Sequence, residues 1–123
     1  MLIARTLVVA GLFVTLSAFA VAKDLLPVEH GIYVREGTGA GDVPFAATLT
    51  YDGSTIAGPH SSACRSTLLS RDGDTHRVST TCDALGDGTP AVPYTEEERI
   101  VVVSARRIRF EHGNDAAWYH LAP

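Results

Sequence analysis

The chain has 123 residues, with ten Lys and Arg against fourteen Asp and Glu, which gives a formal net charge of −4 when the five histidines are neutral. Phosphate backbones and anionic lipid headgroups repel such a surface, so nucleic acid and membrane surfaces are poor partners. The length allows one small domain with a modest core and a small margin of stability.

Residues 1–22 have the layout of a secretory signal peptide. One positive charge lies in residues 1–5, residues 7–21 are almost continuously apolar, and two overlapping A-x-A cleavage patterns are formed by Ala18, Ala20 and Ala22. An uncleaved membrane anchor is the alternative, but about 15 apolar residues fall short of the ~20 that span a bilayer. No cysteine lies at the predicted cleavage point, where a lipoprotein would carry its lipid. We therefore predict a signal peptide over 1–22 and a soluble single domain over 23–123, in the periplasm or secreted.

The first part of the mature chain predicts three short strands separated by glycine turns. Residues 31–36 alternate between two faces, as a strand does. Three glycines and a proline make residues 37–44 a loop. Side chains of residues 45–51 again alternate between two faces, which predicts a second strand. Asp52-Gly53 then reverses the chain, and residues 54–57 form a short strand that pairs with it.

Residues 64–82, CRSTLLSRDGDTHRVSTTC, predict a β-hairpin that is stapled by a disulfide at its open end. Its midpoint is Gly73 between two aspartates, which is a strong hairpin signal. If residues whose numbers sum to 146 face each other, Cys64 meets Cys82 and Leu68 meets Val78 on the same face. Two cysteines in an exported chain normally pair, and closing a loop of about 19 residues contributes about 3 kcal/mol in the chain-entropy picture.

The C-terminal part predicts further strands after an irregular stretch. Residues 83–93 hold two glycines and two prolines, which should keep them out of a central strand. The acidic triplet 96–98 then reads as the solvated start of a strand that continues through the β-branched run 99–104. Residues 107–111 and 116–121 form the last hairpin.

These patterns amount to about eight short strands spaced near ten residues apart, joined by Gly, Asp and Asn turns, with no convincing helix. The fold class is therefore all-β, with one disulfide, and the architecture is an antiparallel sandwich or a small meander closed into a barrel. We favour the barrel, because sequential hairpins lie side by side and closure removes exposed sheet edges.

No residue pattern in the sequence predicts a metal, cofactor or catalytic site. The histidines form no H-x-H or H-x-x-x-H motif, and a hairpin turning around Asn114 would place His120 opposite Ile108 rather than beside His112. A G-x-S-x-G elbow is absent, both cysteines are assigned to the disulfide, and the acid clusters give no scaffold for a glycosidase pair. We therefore predict no enzyme activity. A histidine that met a serine and an acid in a concave site would instead indicate a hydrolase.

Arg106, Arg107 and Arg109 form the only basic concentration on this acidic chain. Arg107 and Arg109 share one face of a strand, where they could bind an acidic partner, so they are the predicted partner-binding surface. The alternative is that both arginines pair with acids on a neighbouring strand.

Several phrases together resemble a group of small exported proteobacterial proteins of unassigned function. These are LPVEHGIYVRE near the mature start, AATLTYDGSTI, the two cysteines, and a last strand that ends in aromatic residues. The resemblance covers nearly the whole mature chain and implies a β-rich fold with a disulfide between Cys64 and Cys82. The group also has an early and a closing cysteine that this sequence lacks, which suggests that those two pair in the relatives. The resemblance implies no activity.

Two functions from different classes fit these expectations. The first is a non-enzymatic binding or structural module of the cell envelope, which contacts an unknown protein or small ligand through its loops. The second comes from a weaker fold-level similarity to bacterial lysozyme inhibitors, and is inhibition of a cell-wall hydrolase. An acidic protein is steered toward a basic lysozyme.

Overall fold

The computed structural model describes residues 10–11, 23–37 and 47–123. Apart from Ala10 and Gly11, the predicted signal peptide lies outside the described residues, and so do most of the predicted loop 37–44 and the start of the predicted strand 45–51. Over the described ranges, no helix has the length and apolar character needed to cross a membrane.

Eight strands make up the described fold, and all their pairings are antiparallel. They are β1 (Gly31–Arg35), β2 (Thr48–Tyr51), β3 (Ile56–Ala57), β4 (Ser61–Asp72), β5 (Thr75–Leu85), β6 (Pro90–Ser104), β7 (Arg107–His112) and β8 (Asp115–Leu121). Strand alternation decides which side chains point inward, so Tyr33 in β1 is fully buried while its neighbour Ile32 is exposed. The all-β prediction is confirmed.

The strands form one sheet, in the order β3-β2-β1-β8-β7-β6-β5-β4, which curls into a nearly closed barrel. Because β1 pairs with β8, the gap in the barrel falls between β3 and β4. Two hydrogen bonds bridge this gap. The Ile56 N–H donates to Ser66 Oγ at 3.2 Å, and Thr55 Oγ1 donates to the Cys64 carbonyl at 3.4 Å. The structure is thus the barrel that the sequence favours and not the sandwich.

The stapled hairpin consists of β4 and β5, and its predicted register is confirmed near the disulfide. Cys64 and Cys82 are directly opposite and disulfide-bonded, and the predicted pairing continues as far as Leu68 and Val78. Beyond that pair a β-bulge shifts the register and leaves a two-residue turn that begins at Gly73, whose φ of +59° suits glycine. The disulfide indicates that the protein matures in an oxidising, non-cytoplasmic compartment.

The prediction of an irregular stretch over 83–93 is wrong, since most of it lies in β5 and β6, but its prolines fall outside a central strand as expected. β5 and β6 extend through this stretch, and Ala84 pairs with Pro90. β7 pairs with β6 only from Arg99 onward, so the first half of β6 has β5 on one side and no described strand on the other. A proline fits such a one-sided strand, because no second neighbour requires its missing N–H. A register shift after Cys82 accommodates the irregular residues.

The last hairpin also has a different register from the predicted one. His112 pairs with Asp115, which leaves a two-residue turn that begins at Gly113, with a φ of +58°. His120 therefore lies opposite Arg107, and the prediction that it faces Ile108 is wrong. The difference arises because a turn around Asn114 is centred on one residue, whereas Gly113 allows a tight two-residue turn.

The apolar core fills the end of the barrel that the N-terminal segment crosses. Residues 24–30 precede β1, and the Glu29 N–H donates to the Ala105 carbonyl at 2.8 Å, just beyond the end of β6. The buried apolar residues are Leu26, Val28, Tyr33, Leu49, Tyr51, Ile56, Val78, Ile100 and Ile108. We call the opposite end of the barrel, where β7 ends and β8 begins, the mouth.

Candidate functional site

The acidic run on β6 is split between the two faces of the sheet. Strand alternation sends Glu96 and Glu98 to the inner face, in line with buried Ile100, and sends Glu97 to the outer face, where it pairs with Arg77. Glu98 is only 6% exposed. The prediction of a solvated strand start therefore describes Glu97 and is wrong for Glu98.

His112, at the end of β7, reaches the same two carboxylates. β6 and β7 pair Ile100 with Phe110, and continuing this ladder by two residues brings Glu98 and His112 side by side. The Nδ1 atom of His112 lies 3.0 Å from Oε2 of Glu98. One oxygen or nitrogen atom from each of Glu96, Glu98 and His112 lies within 4.8 Å of the others. We call these three residues the mouth cluster.

The electrostatics of the mouth cluster follow from burial and hydrogen bonding. Burial raises the pKa of Glu98 to about 7, and the hydrogen bond with His112 opposes that rise. The Glu98 carboxylate in turn raises the pKa of His112. The Tyr94 hydroxyl donates to Oε1 of Glu96 at 2.8 Å, which orients that carboxylate and raises the pKa of Tyr94.

A cavity of about 240 Å³ opens beside the mouth cluster. Its walls combine carboxylates, a hydroxyl and aromatic rings, and they include Thr80, Tyr94, Glu96, Glu98, Phe110 and Tyr119. The Phe110 and Tyr119 rings meet edge to face, with centroids 6.1 Å apart. Thr80 Oγ1 is fixed by a hydrogen bond of 2.7 Å to Ser66 Oγ. These two contacts hold three of the lining side chains in place.

A second depression lies at the apolar end of the barrel, beside residues 23–29. It is larger, about 890 Å³, and more open to solvent. The buried polar side chain that lines it, His76, already has a partner, since its Nδ1 is 3.1 Å from the Asp74 carbonyl. The mouth cavity is the better candidate, because small-ligand sites combine enclosing walls with a few converging polar groups.

The other histidines do not belong to the mouth cluster. His30 contacts Asp24 at 2.9 Å, and His120 contacts Glu36 at 3.6 Å. His60 lines the cavity but is not among the three residues whose ligand atoms converge. The rings of His112 and His120 thus have different acidic partners.

Arg107 and Arg109, the predicted partner-binding surface, both have acidic partners within the protein. Arg107 donates from Nε and Nη2 to Glu36, at 2.9 Å each, and Nη2 of Arg109 lies 3.0 Å from Glu111. Both guanidinium groups also lie over the Trp118 ring, 4.4 and 5.2 Å from its centroid. Their role as a binding surface stays a prediction.

Sequence reasoning missed the mouth cluster because it treated three consecutive acids as one unit. The signal that could have found it is the alternation from Glu96 through Glu98 to Ile100, which places both acids on the face of a core residue. The third member, His112, could not be found in this way, because its position depends on the register between two strands.

The arrangement suits the binding of a cation or of a hydrogen-bond donor, since acceptor oxygens and an imidazole converge beside a walled cavity. Comparisons of this chain with protein-family models, with curated proteins and with solved structures find no match.

Proposed function

We propose that the protein is a non-enzymatic binding module of the cell envelope, which takes a small ligand in the cavity beside the mouth cluster. The observation that carries the proposal is the cavity itself, where a largely buried carboxylate and two aromatic rings converge. A purely structural barrel gains nothing from a buried carboxylate, because its desolvation costs free energy.

The walls indicate a ligand that has both hydrogen-bond donors and an apolar face. Glu96 and Glu98 supply acceptor oxygens on one side of the cavity. Phe110 and Tyr119 supply ring surface, against which an alkyl chain or a sugar ring packs well. A small amine or an amino sugar has both features.

We place this binding in the periplasm or outside the cell. Residues 1–22 have the composition of a signal peptide, and the disulfide between Cys64 and Cys82 needs an oxidising compartment to form. Both observations support export, with cleavage near Lys23.

Filling the cavity tests the proposal. Thr80→Phe adds a ring inside the cavity, whereas the matched control Thr80→Val removes the same hydroxyl and adds almost no volume. With glucosamine and small primary amines as probes, ligand-detected NMR should show binding to the wild type and to Thr80→Val, and an affinity lowered about tenfold or more in Thr80→Phe. Failure of every probe to bind the wild type, or unchanged binding to Thr80→Phe, would overturn the proposal.

A second candidate function is inhibition of a cell-wall hydrolase such as lysozyme. It is favoured by the net charge of −4 and by the exposed tip of the β5–β6 hairpin, where Asp87 lies between two glycines. Electrostatic steering would bring this surface to a basic enzyme. Undiminished lysozyme activity at micromolar concentrations of the protein would dispose of this candidate.

A further inference from the structure

We propose that the mouth cluster binds one divalent transition-metal ion, Zn²⁺, through Glu96, Glu98 and His112. This inference rests on the proposed function, because it names a ligand of the same cavity. The observation that supports it is that two carboxylates from β6 and one imidazole from β7 lie close together.

The three side chains are already near coordination distance. Zinc bound at about 2.1 Å to nitrogen and oxygen holds adjacent ligand atoms about 3.0 to 3.4 Å apart. Nδ1 of His112 and Oε2 of Glu98 are 3.0 Å apart, and the whole set lies within 4.8 Å. The His112 side chain is 57% exposed, so its ring is free to reorient as the three side chains close around an ion.

The barrel positions these ligands on rigid elements. Glu96 and Glu98 are two residues apart on the inner face of β6, and His112 lies beside Glu98 on β7. The Tyr94 hydroxyl, which donates to Oε1 of Glu96, acts as an outer hydrogen bond that orients a metal-binding carboxylate. The cluster therefore has the supporting contact that metal sites use to fix their ligands.

The ligand types favour zinc over calcium or magnesium. Calcium and magnesium bind oxygen ligands, whereas an imidazole combined with carboxylates suits zinc. Two carboxylates also supply the negative charge that a divalent cation balances. Three protein ligands leave the fourth tetrahedral position open. Glu96 and Glu98 both line the cavity, so a small molecule held there is placed to supply the fourth ligand.

Calorimetric titration of the EDTA-treated, disulfide-intact protein with zinc chloride tests the inference. We expect one zinc ion per chain, bound with micromolar or tighter affinity, and an affinity lowered about tenfold or more in His112→Ala and in Glu98→Gln. Because His112 is exposed, His112→Ala reports on binding even if Glu98→Gln loosens the barrel.

The chain offers matched controls outside the cavity. Glu97→Gln neutralises the neighbouring acid on the outer face of β6, and His120→Ala removes a histidine that contacts Glu36. Both variants should bind zinc as the wild type does. The inference is overturned if the wild type binds no zinc, if the controls lose as much affinity as the cluster variants, or if calcium chloride binds as tightly as zinc chloride.

The metal inference and the proposed function fail in distinguishable ways. If the wild type binds no zinc but binds an amine probe that Thr80→Phe excludes, the metal inference falls and the proposed function stands. If neither zinc nor any organic probe binds, both fall. If zinc binds and depends on the mouth cluster but no organic probe binds, the metal inference stands and the proposed function falls.

Discussion

At the scale of the residue, the Tyr51 hydroxyl ties the N-terminal segment to the barrel. It accepts a hydrogen bond from the Leu26 N–H and donates to the Leu26 carbonyl, at 2.8 Å each, and both residues are buried. Tyr51→Phe leaves these two backbone groups without their partner. We therefore expect it to lower the free energy of unfolding by about 1–3 kcal/mol, measured by urea denaturation.

Tyr119→Phe is the control for that prediction. The Tyr119 ring packs edge to face against Phe110, and its hydroxyl makes no hydrogen bond to another described residue. Removing this hydroxyl should change stability little. An equal loss in both variants would show that the Tyr51 hydroxyl contributes nothing specific.

The stabilisation of the turn after β2 by Asp52 depends on pH. Its carboxylate accepts hydrogen bonds from the N–H groups of Ser54 and Thr55, at 2.9 and 2.7 Å, and these bonds lower its pKa below the ordinary 3.8. Because the folded-state pKa is lowered, the stabilisation is complete above the unfolded-state pKa and is lost as the pH falls through the folded-state pKa.

The Asp52→Asn variant tests this dependence, since it keeps the acceptor oxygen and removes the charge. We expect the variant to melt at a lower temperature than the wild type at neutral pH, and the difference to shrink as the pH is lowered to about 3. Melting curves recorded across this range check the prediction. A difference that stays constant with pH would contradict it.

At the scale of the element, the disulfide holds the β4–β5 hairpin at its open end. Cys64 and Cys82 are 18 residues apart in sequence. Replacing both by alanine should lower the free energy of unfolding by about 3 kcal/mol, because the unfolded chain regains the entropy of a closed loop. Urea denaturation measures the loss, and reduction of the wild type should reproduce it. A variant as stable as the oxidised wild type would refute this account.

The same hairpin shows where pairing arguments from sequence reach their limit. Counting inward from the cysteines predicts the observed register as far as the pair of Leu68 and Val78. Counting outward from the turn, where Asp72 pairs with Thr75, predicts a register that is shifted by one residue. Both counts are correct locally, and a β-bulge between Leu68 and Ser70 reconciles them. The position of that extra residue depends on how the two arms pack.

β6 shows a second limit. Its prolines predict an irregular connection, yet the strand begins at Pro90, because β7 is too short to pair with its first half. The sequence thus predicts the acids at the start of a strand, whereas they lie in the middle of β6. Treating the three acids as one solvated start, instead of following the alternation from Glu96 to Ile100, is what hides the inward orientation of Glu98 and the candidate site.

At the scale of the whole molecule, the barrel has two chemically different ends. The N-terminal segment and the apolar core fill one end, and the mouth cluster and its cavity occupy the other. This division lets the filled end supply the stability that a partly polar interior at the mouth reduces. A small domain with a small margin of stability can therefore keep a binding cavity at one end, because the apolar core at the other end offsets the cost.

We predict that the whole chain is exported and cleaved. Expression in a bacterium with a functional secretion pathway should give a periplasmic product that starts near Lys23 and weighs two hydrogens less than the reduced chain, because residues 1–22 are removed and the cysteines are oxidised. Intact-mass spectrometry with and without reduction measures both changes. A full-length product that reacts with thiol reagents would refute the prediction.

Local sequence patterns are enough to predict the all-β fold, about eight strands and the pairing of Cys64 with Cys82, because alternation, turn residues and equal arm lengths need no knowledge of the tertiary structure. The mouth cluster and its cavity, by contrast, depend on the tertiary structure. The contact of His112 with Glu98 depends on the register between β6 and β7, and the cavity depends on the curling of the sheet that brings β3 near β4. Both bring together residues that are distant in sequence, which no local pattern encodes.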